Sequence, residues 1–202
     1  MHYNTLKITQ GSSKMEKLKS INTNTLTNEF CIKQSKNKNS ICFRCYSMHN
    51  LKTFRKSCVS SRQHNSNLLS KEIIHNQLLP TILDIYFRFS SDGELINDIH
   101  LINLLNICEK NKHTTFTLWT KRKDLVYKVQ QKRELPKNLI LIFSNSQVDK
   151  PLKTIPRLFH KTFNSVSDTF DKSAVNCSGK CVECLKCYVK DNNINQIVEV
   201  MK

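Results

Sequence analysis

Between Ile82 and Ser144 the chain alternates between strand-like and helix-like runs, and this alternation narrows the possible folds more than any other feature. Ile82 to Phe89 (Ile-Leu-Asp-Ile-Tyr-Phe-Arg-Phe) is rich in aromatic and branched residues and predicts a strand. Ser90 to Glu94 predicts a turn. Leu101, Leu104, Leu105 and Cys108 put an apolar stripe on a helix from Ile96 to Asn111. Thr114 to Thr120 predicts a second strand, Lys123 to Lys132 a helix stopped near Pro136, and Asn138 to Ser144 a third, fully buried strand. Strand, helix, strand, helix, strand implies an α/β fold with a parallel sheet and right-handed crossovers.

The flanks are less regular. Residues 1–30 are polar and predict irregular chain with one short strand. Residues 31–46 predict a loop carrying Cys31, Cys42 and Cys45, exposed from Lys33 to Ser40. From Met48 to Gln77 the pattern is helical, with Leu51, Phe54, Cys58, Ser61, Asn65 and Leu68 at steps of three or four, broken by one or two turns and ended by Pro80. Residues 145–176 predict one strand around Phe159 to Phe163, and the tail a short amphipathic segment through Ile194, Ile197 and Val198. There is no internal repeat.

The formal net charge is +16. Such an excess favours polyanions, nucleic acid above all, through phosphate contacts and counterion release; the alternative is a solvated basic surface without a specific partner. Met1 to Ser20 is interrupted by Lys7, Lys14, Glu16, Lys17 and Lys19. It therefore reads as neither a signal peptide nor a membrane span, and the expected location is the cytoplasm. In that reducing compartment, clustered cysteines are read as metal ligands rather than disulfides, and the odd total of nine fits poorly with a complete disulfide framework.

Seven of the nine cysteines fall into two groups. Cys177, Cys181, Cys184 and Cys187 place four thiols within eleven residues, with Gly179 supplying the backbone freedom to wrap an ion or cluster. Four thiolates close a tetrahedral zinc site or satisfy a [4Fe-4S] cube; the density is nearer to ferredoxin spacing than to the two separated pairs of a zinc ribbon. Cys31, Cys42 and Cys45 offer three thiols, which on a cube leave one iron open to a small chelating ligand. The alternatives are an ordinary zinc site completed by Cys58, His49 or His64, or a Cys45-Tyr46 pair that belongs to the core. Cys58 and Cys108, on helix stripes, read as small core hydrophobes.

Other residues end predicted strands. Trp119, Thr120, Lys121 and Arg122 follow the second, suited to a phosphate or cofactor, or to plain solvation of a strand end. Ser144, Asn145 and Ser146 follow the third, suited to a ribose. Lys36, Lys38, Arg44, Lys52, Arg55, Lys56 and Arg62 surround the first cysteine group and read as a nucleic-acid groove or a solvated face. No Ser–His–Asp order, Walker loop, dinucleotide fingerprint or helical histidine pair occurs, which leaves nucleophilic hydrolysis without support.

The chain resembles a phage protein family known as "gene product eighty-eight". The resemblance is carried, in order, by Cys31, Cys42-Phe-Arg-Cys45-Tyr46-Ser47, Arg55, Arg62, Asn65, Leu68-Leu69, Phe87-Arg88-Phe89-Ser90-Ser91-Asp92-Gly93-Glu94, Phe116-Thr-Leu-Trp119-Thr120-Lys121 and Cys177 to Cys187. That family is in turn similar to radical S-adenosylmethionine (SAM) enzymes. The resemblance implies a partial β/α barrel over residues 31–176, preceded by a lead-in (1–30) and followed by a four-cysteine segment (177–202). It also implies a [4Fe-4S] cluster on Cys31, Cys42 and Cys45 whose open iron chelates SAM. Ser91, Asp92, Gly93 and Glu94 stand where the turn gripping the SAM amino group would be; carbonyls at a strand end and a carboxylate suit an ammonium. Ser91-x-x-Glu94 is equally a helix capping box, the turn has one glycine and no proline, and Cys31 to Cys42 is longer than usual for radical SAM proteins.

Two functional readings result. One is an iron–sulfur protein on a radical-SAM-like scaffold that modifies a nucleic acid or nucleotide. The other is a non-enzymatic zinc protein that binds nucleic acid or a host protein.

Overall fold

The computed structural model describes residues 5–201. Seven strands form one sheet in chain order: β1 (Ile8–Gln10), β2 (Lys19–Ile21), β3 (Tyr86–Phe89), β4 (Thr115–Thr120), β5 (Leu139–Ser144), β6 (Lys161–Val166) and β7 (Gln196–Val200). β1 runs antiparallel to β2, and every later pair is parallel. The helices are α1 (Glu29–Ser35), α2 (Tyr46–Lys52), α3 (Val59–Lys71), α4 (Asp98–Lys110), α5 (Lys123–Gln130) and the short α6 (Cys181–Cys184).

Strand alternation sorts side chains onto two faces. Phe87 and Phe89 of β3, Phe116 and Leu118 of β4, and Leu139 and Leu141 of β5 join Leu101, Leu104 and Leu105 of α4, Val126 and Val129 of α5 and Leu69 of α3 in the main core. Phe89 stacks on Phe116 at 5.0 Å between ring centroids. A smaller cluster on the other face holds Leu18, Trp119, Ile140, Ile142 and Tyr188, with Met15, Cys181, Leu185 and Cys187 packed against it. No long helix contributes to that cluster. The β1–β2 connection and the C-terminal segment contribute instead.

The C-terminal segment is fixed to the sheet by polar contacts. The backbone N–H groups of Asn176 and Cys177 donate to the Val198 carbonyl. The Lys161 ammonium, fully buried, donates to the Asn192 side chain at 2.6 Å and the Ile194 carbonyl at 2.7 Å. Lys14, in the β1–β2 connection, pairs with Glu199 of β7 and so links the two ends of the strand order.

The central α/β alternation matches the sequence reading to within a few residues. Elsewhere the structure differs. Ile82–Ile85 lies outside the strand: β3 begins at Tyr86, only the Ile85 carbonyl accepts from β4, at Thr115 N–H, and Leu83 is 82% exposed. The lead-in forms two strands rather than one. Cys31 lies within α1, not in a loop, because the Asn28 side chain caps that helix by accepting from the N–H groups of Phe30 and Cys31. The stretch 48–77 is two helices, α2 and α3, separated by a 3-10 turn at Lys56–Cys58. Phe54 falls in the break and is 79% exposed, and Cys58 is only half-buried, so neither is core. The tail becomes strand β7.

Two stability predictions follow from this packing. Phe116→Ala should cost about 3–5 kcal/mol in urea unfolding, whereas Leu83→Ala should stay within about 0.5 kcal/mol. His100 of α4 is buried, its Nδ1 accepts from the Ile96 N–H at 3.2 Å, and burial pushes its pKa down to about 3 from 6.5. The unfolded chain therefore takes up a proton that the folded chain refuses. Stability is full above pH 6.5 and falls as pH drops toward 3, by at most about 1.4 kcal/mol per pH unit. Urea midpoints between pH 7 and 4 should show this fall, and His100→Gln should reduce it.

Candidate functional site

A cavity of about 800 Å³ opens on the sheet face that the long helices leave uncovered, within the size range of ligand sites. Its wall takes in residues at or just beyond the C-terminal ends of β2 to β7: Asn22, the turn Ser90–Glu94, Lys121, Ser144, Ser167 and Met201. All seven grouped cysteines line it, Cys31, Cys42, Cys45, Cys177, Cys181, Cys184 and Cys187, whereas Cys58 and Cys108 do not. All are free thiols.

The turn after β3 is tightly specified. Ser90 and Gly93 adopt left-handed backbone, with φ of 56° and 94°. A Cβ on Gly93 would lie 2.1 Å from the Thr23 hydroxyl and 2.8 Å from the Thr23 carbonyl oxygen, so only glycine fits. The Asn22 side-chain oxygen accepts from the Asp92 N–H at 2.9 Å and from the Ser91 hydroxyl at 2.6 Å. The Asp92 carboxylate is paired with Arg62 of α3, with Arg55 at 4.0 Å. Arg62 is therefore buried inside the turn's support, while the other six basic residues around the first cysteines are exposed.

Glu94 does not cap a helix. α4 starts at Asp98, capped by Asn97, whose side chain accepts from the His100 N–H. The buried Glu94 carboxylate instead accepts from the Leu95 N–H at 2.8 Å, the Thr120 hydroxyl at 2.5 Å and the Lys121 N–H at 2.8 Å. The capping-box alternative fails for this reason. The Glu94 carbonyl also accepts from the Asn28 side chain at 2.9 Å, so the residue that caps α1 is fastened to this turn. Cys31 thereby faces Glu94: burial pushes its thiol well above the usual range, and the charges of Glu94, Cys45 and Cys42 add to the rise.

Burial also raises Cys45, and Cys187 is pushed up to about 12 by burial, with Arg88 opposing. Cys181 is raised by burial and opposed by Arg88 and Lys14. Within each group the thiols are near enough to influence one another: Cys31 with Cys42 and Cys45, Cys187 with Cys181 and Cys177. Buried thiols of this kind stay protonated until a cation compensates them, which is what a metal ligand set does. Among the described residues, no three His, Cys, Asp or Glu side chains are gathered as ligands of one metal ion. The residue types are those of a thiolate-bound metal or cluster, whereas their side chains as placed do not converge on one point. Unpaired buried polar atoms on the same wall, Thr25 Oγ1, Ser47 Oγ, Arg62 Nε and Arg88 Nε, fit a polar ligand.

Other expected residues divide. Trp119 and Lys121 line the cavity, and the Lys121 ammonium donates to the Ser144 hydroxyl at 2.8 Å. Thr120 is used by Glu94, and Arg122 pairs with Asp124. Asn145 does not line the cavity; its side chain donates to the Lys150 carbonyl and to Asn164. His49 and His64 do not line it either. Sequence reasoning gave no role to Arg88 or Lys14, although Arg88 is the one charge in an otherwise aromatic strand, half-buried on the face opposite Phe87 and Phe89.

The family model described as Gene product 88 matches residues 3–185. The chain belongs to that family. No curated protein and no solved structure matches it. The match spans both cysteine groups up to Cys184 and the whole turn after β3. No helix among the described residues is long and apolar enough to cross a membrane.

Gly93→Ala should destabilise the protein by about 2 kcal/mol or more, because it combines a left-handed non-glycine residue with a collision against Thr23. Chemical denaturation would check this; Gly179→Ala, whose Cβ would meet nothing within 4 Å, should cost less.

Proposed function

We propose that this Gene product 88 protein holds an iron–sulfur cluster on Cys31, Cys42 and Cys45 within a radical-SAM-like partial β/α barrel, and that it modifies a nucleic acid or nucleotide in the host cytoplasm. The observation that carries the reading is the single cavity, at the C-terminal ends of parallel strands, that takes in all seven grouped thiols and no other cysteine. Brackets of this kind at strand ends are where β/α folds place chemistry. The Lys14–Glu199 pair between the first hairpin and the last strand supports the curled, barrel-like form.

A [4Fe-4S] cluster on three thiolates would supply an open iron to chelate SAM and, with an external one-electron donor, its reductive cleavage. The chain's own contribution is positional. Glu94 has three of its acceptor positions filled, by Leu95, Thr120 and Lys121, and a carboxylate offers about four. The remaining one suits an ammonium group. The Arg62–Asp92 pair and Asn22 hold the turn in shape behind it. Cys177, Cys181, Cys184 and Cys187 would hold an auxiliary centre that braces the chain end.

Charge and aromatic exposure support the nucleic-acid substrate. The wall carries eight basic side chains against four acidic ones. Near the first cysteines, Phe43, Tyr46 and Phe54 are 48%, 60% and 79% exposed and are interspersed with Arg44, Lys52, Arg55 and Lys56. Exposed rings among cations suit stacking on unpaired bases.

The second reading, a zinc protein without SAM chemistry, draws on the compact C-terminal four-thiol group fixed to β7. Anaerobic expression with iron separates the two. A cluster protein should absorb in the thiolate-to-iron region, contain iron, bind SAM in isothermal titration and lose SAM binding when Cys42 and Cys45 are both changed to Ala. A colourless protein with stoichiometric zinc, no SAM binding and steeply salt-dependent nucleic-acid binding would replace the first reading by the second.

A further inference from the structure

Arg88 stands beside the second cysteine group, where its charge opposes the rise of Cys181 and Cys187, but these thiols do not satisfy its guanidinium N–H groups. It lies in the middle of β3 and faces the cavity, with its Cζ 3.8 Å from the centroid of the Trp119 ring. Tyr188 packs edge-on against both Trp119 and Tyr86, so the guanidinium sits beside an aromatic cluster. Among the described residues its one hydrogen bond, from Nη1, goes to the Met15 sulfur at 3.3 Å, a weak acceptor. Its Nε is buried and unpaired among the described residues. No carboxylate there pairs with it. Asp92 is taken by Arg62 and Arg55, Glu199 by Lys14, and Glu94 by Thr120, Lys121 and Leu95.

A partly buried cation without a counter-charge is costly, and a planar guanidinium with free N–H groups is the side chain best matched to a two-point oxyanion. Stacking on Trp119 fixes its plane before any ligand arrives. The excess of basic groups on the wall favours the more highly charged anion, phosphate, over a carboxylate. The geometry points to Arg88, stacked on Trp119, as the binding group for a phosphate ester of the ligand that occupies this cavity. This deepens the reading of the cavity as a nucleotide or nucleic-acid site, and it does not depend on iron or on SAM.

Trp119 is the only tryptophan in the chain, so its emission reports directly on the stack. The full chain, purified under reductant, is titrated at constant ionic strength with inorganic phosphate, AMP, a short single-stranded oligonucleotide and, as control, acetate. A saturable change in Trp119 emission with a phosphate-bearing probe, absent with acetate, is the expected result. Tighter response to AMP than to phosphate assigns a free nucleotide; tightening seen only with the oligonucleotide assigns a nucleic-acid backbone. Arg88→Met keeps an apolar stem over the ring and should weaken the response by about tenfold or more. Arg88→Lys keeps the charge without the planar fork and should weaken it several-fold, which preserves the test if Arg88→Met does not fold. The inference is overturned by the absence of any saturable response in the wild type, by an equal response to acetate, or by an unchanged midpoint in the Arg88 variants. A phosphate response in iron-free protein leaves this inference standing whatever the iron and SAM measurements return, so the two readings fail separately.

Discussion

A parallel sheet has to be covered on both faces, because its strands carry apolar residues toward each. In this protein the long helices cover only one. On the other face Trp119, Ile140 and Ile142 would meet water were it not for Leu18, Tyr188 and the segments that carry them. Those segments are short and polar, and the C-terminal one is rich in cysteine. They cover the face incompletely, and the space they leave is the cavity. The location of the site is thus a consequence of which face the helices leave open, and its chemistry is a consequence of what covers that face instead.

The polar groups at the strand ends are organised around the same opening. Asn22 beyond β2, the turn after β3 and the Thr120-Lys121 step after β4 are joined through side chains rather than through further strand pairing. Asn65 of α3 adds to this lattice, donating to the carbonyls of Lys7 and Asn22. The buried face of α3 is consequently polar at Arg62, Asn65 and Ser66. A helix that buries such groups is held by hydrogen bonds whose partners must all be in place. The turn carrying Glu94 and the helix carrying Cys31 share Asn28 as a common fastening, so displacement of either would be felt by the other.

The central strands and helices were legible because apolar period and breakers agree there: Phe87, Phe89 and Phe116 in one register, Leu101, Leu104 and Leu105 in another. The seven thiols that line the cavity stood out in the sequence as two groups, although spacing did not say that both would share one opening. What escaped reading was tertiary. Ile82–Ile85 has the composition of a strand, but β2 contributes only Lys19–Ile21 to the ladder, and the backbone of Ile82 and Asp84 is bonded instead by the side chains of Asn111, His113 and Thr114. Asn28 and the acidic Glu29 form a cap and first turn for a helix over Cys31, a local signal that the polar run after Cys31 masks. The Ser91-x-x-Glu94 ambiguity could not be resolved from spacing, because it depends on Thr120, which lies far along the chain. Arg88 was visible as a lone charge in Tyr-Phe-Arg-Phe, yet nothing local says that its face is a cavity wall.

One wall of the cavity is made by residues 177–201, anchored through Lys161 and by the pairing of β7 on β6. These residues leave the ribosome after every other part of the site. A nascent chain can form the helix-covered core early, but its first cysteine group faces an open, unwalled sheet until the last strand has docked. Any inorganic group delivered during synthesis would therefore meet three exposed thiols rather than an enclosed chamber. Closure of the cavity is in this way tied to the docking of β7 on β6.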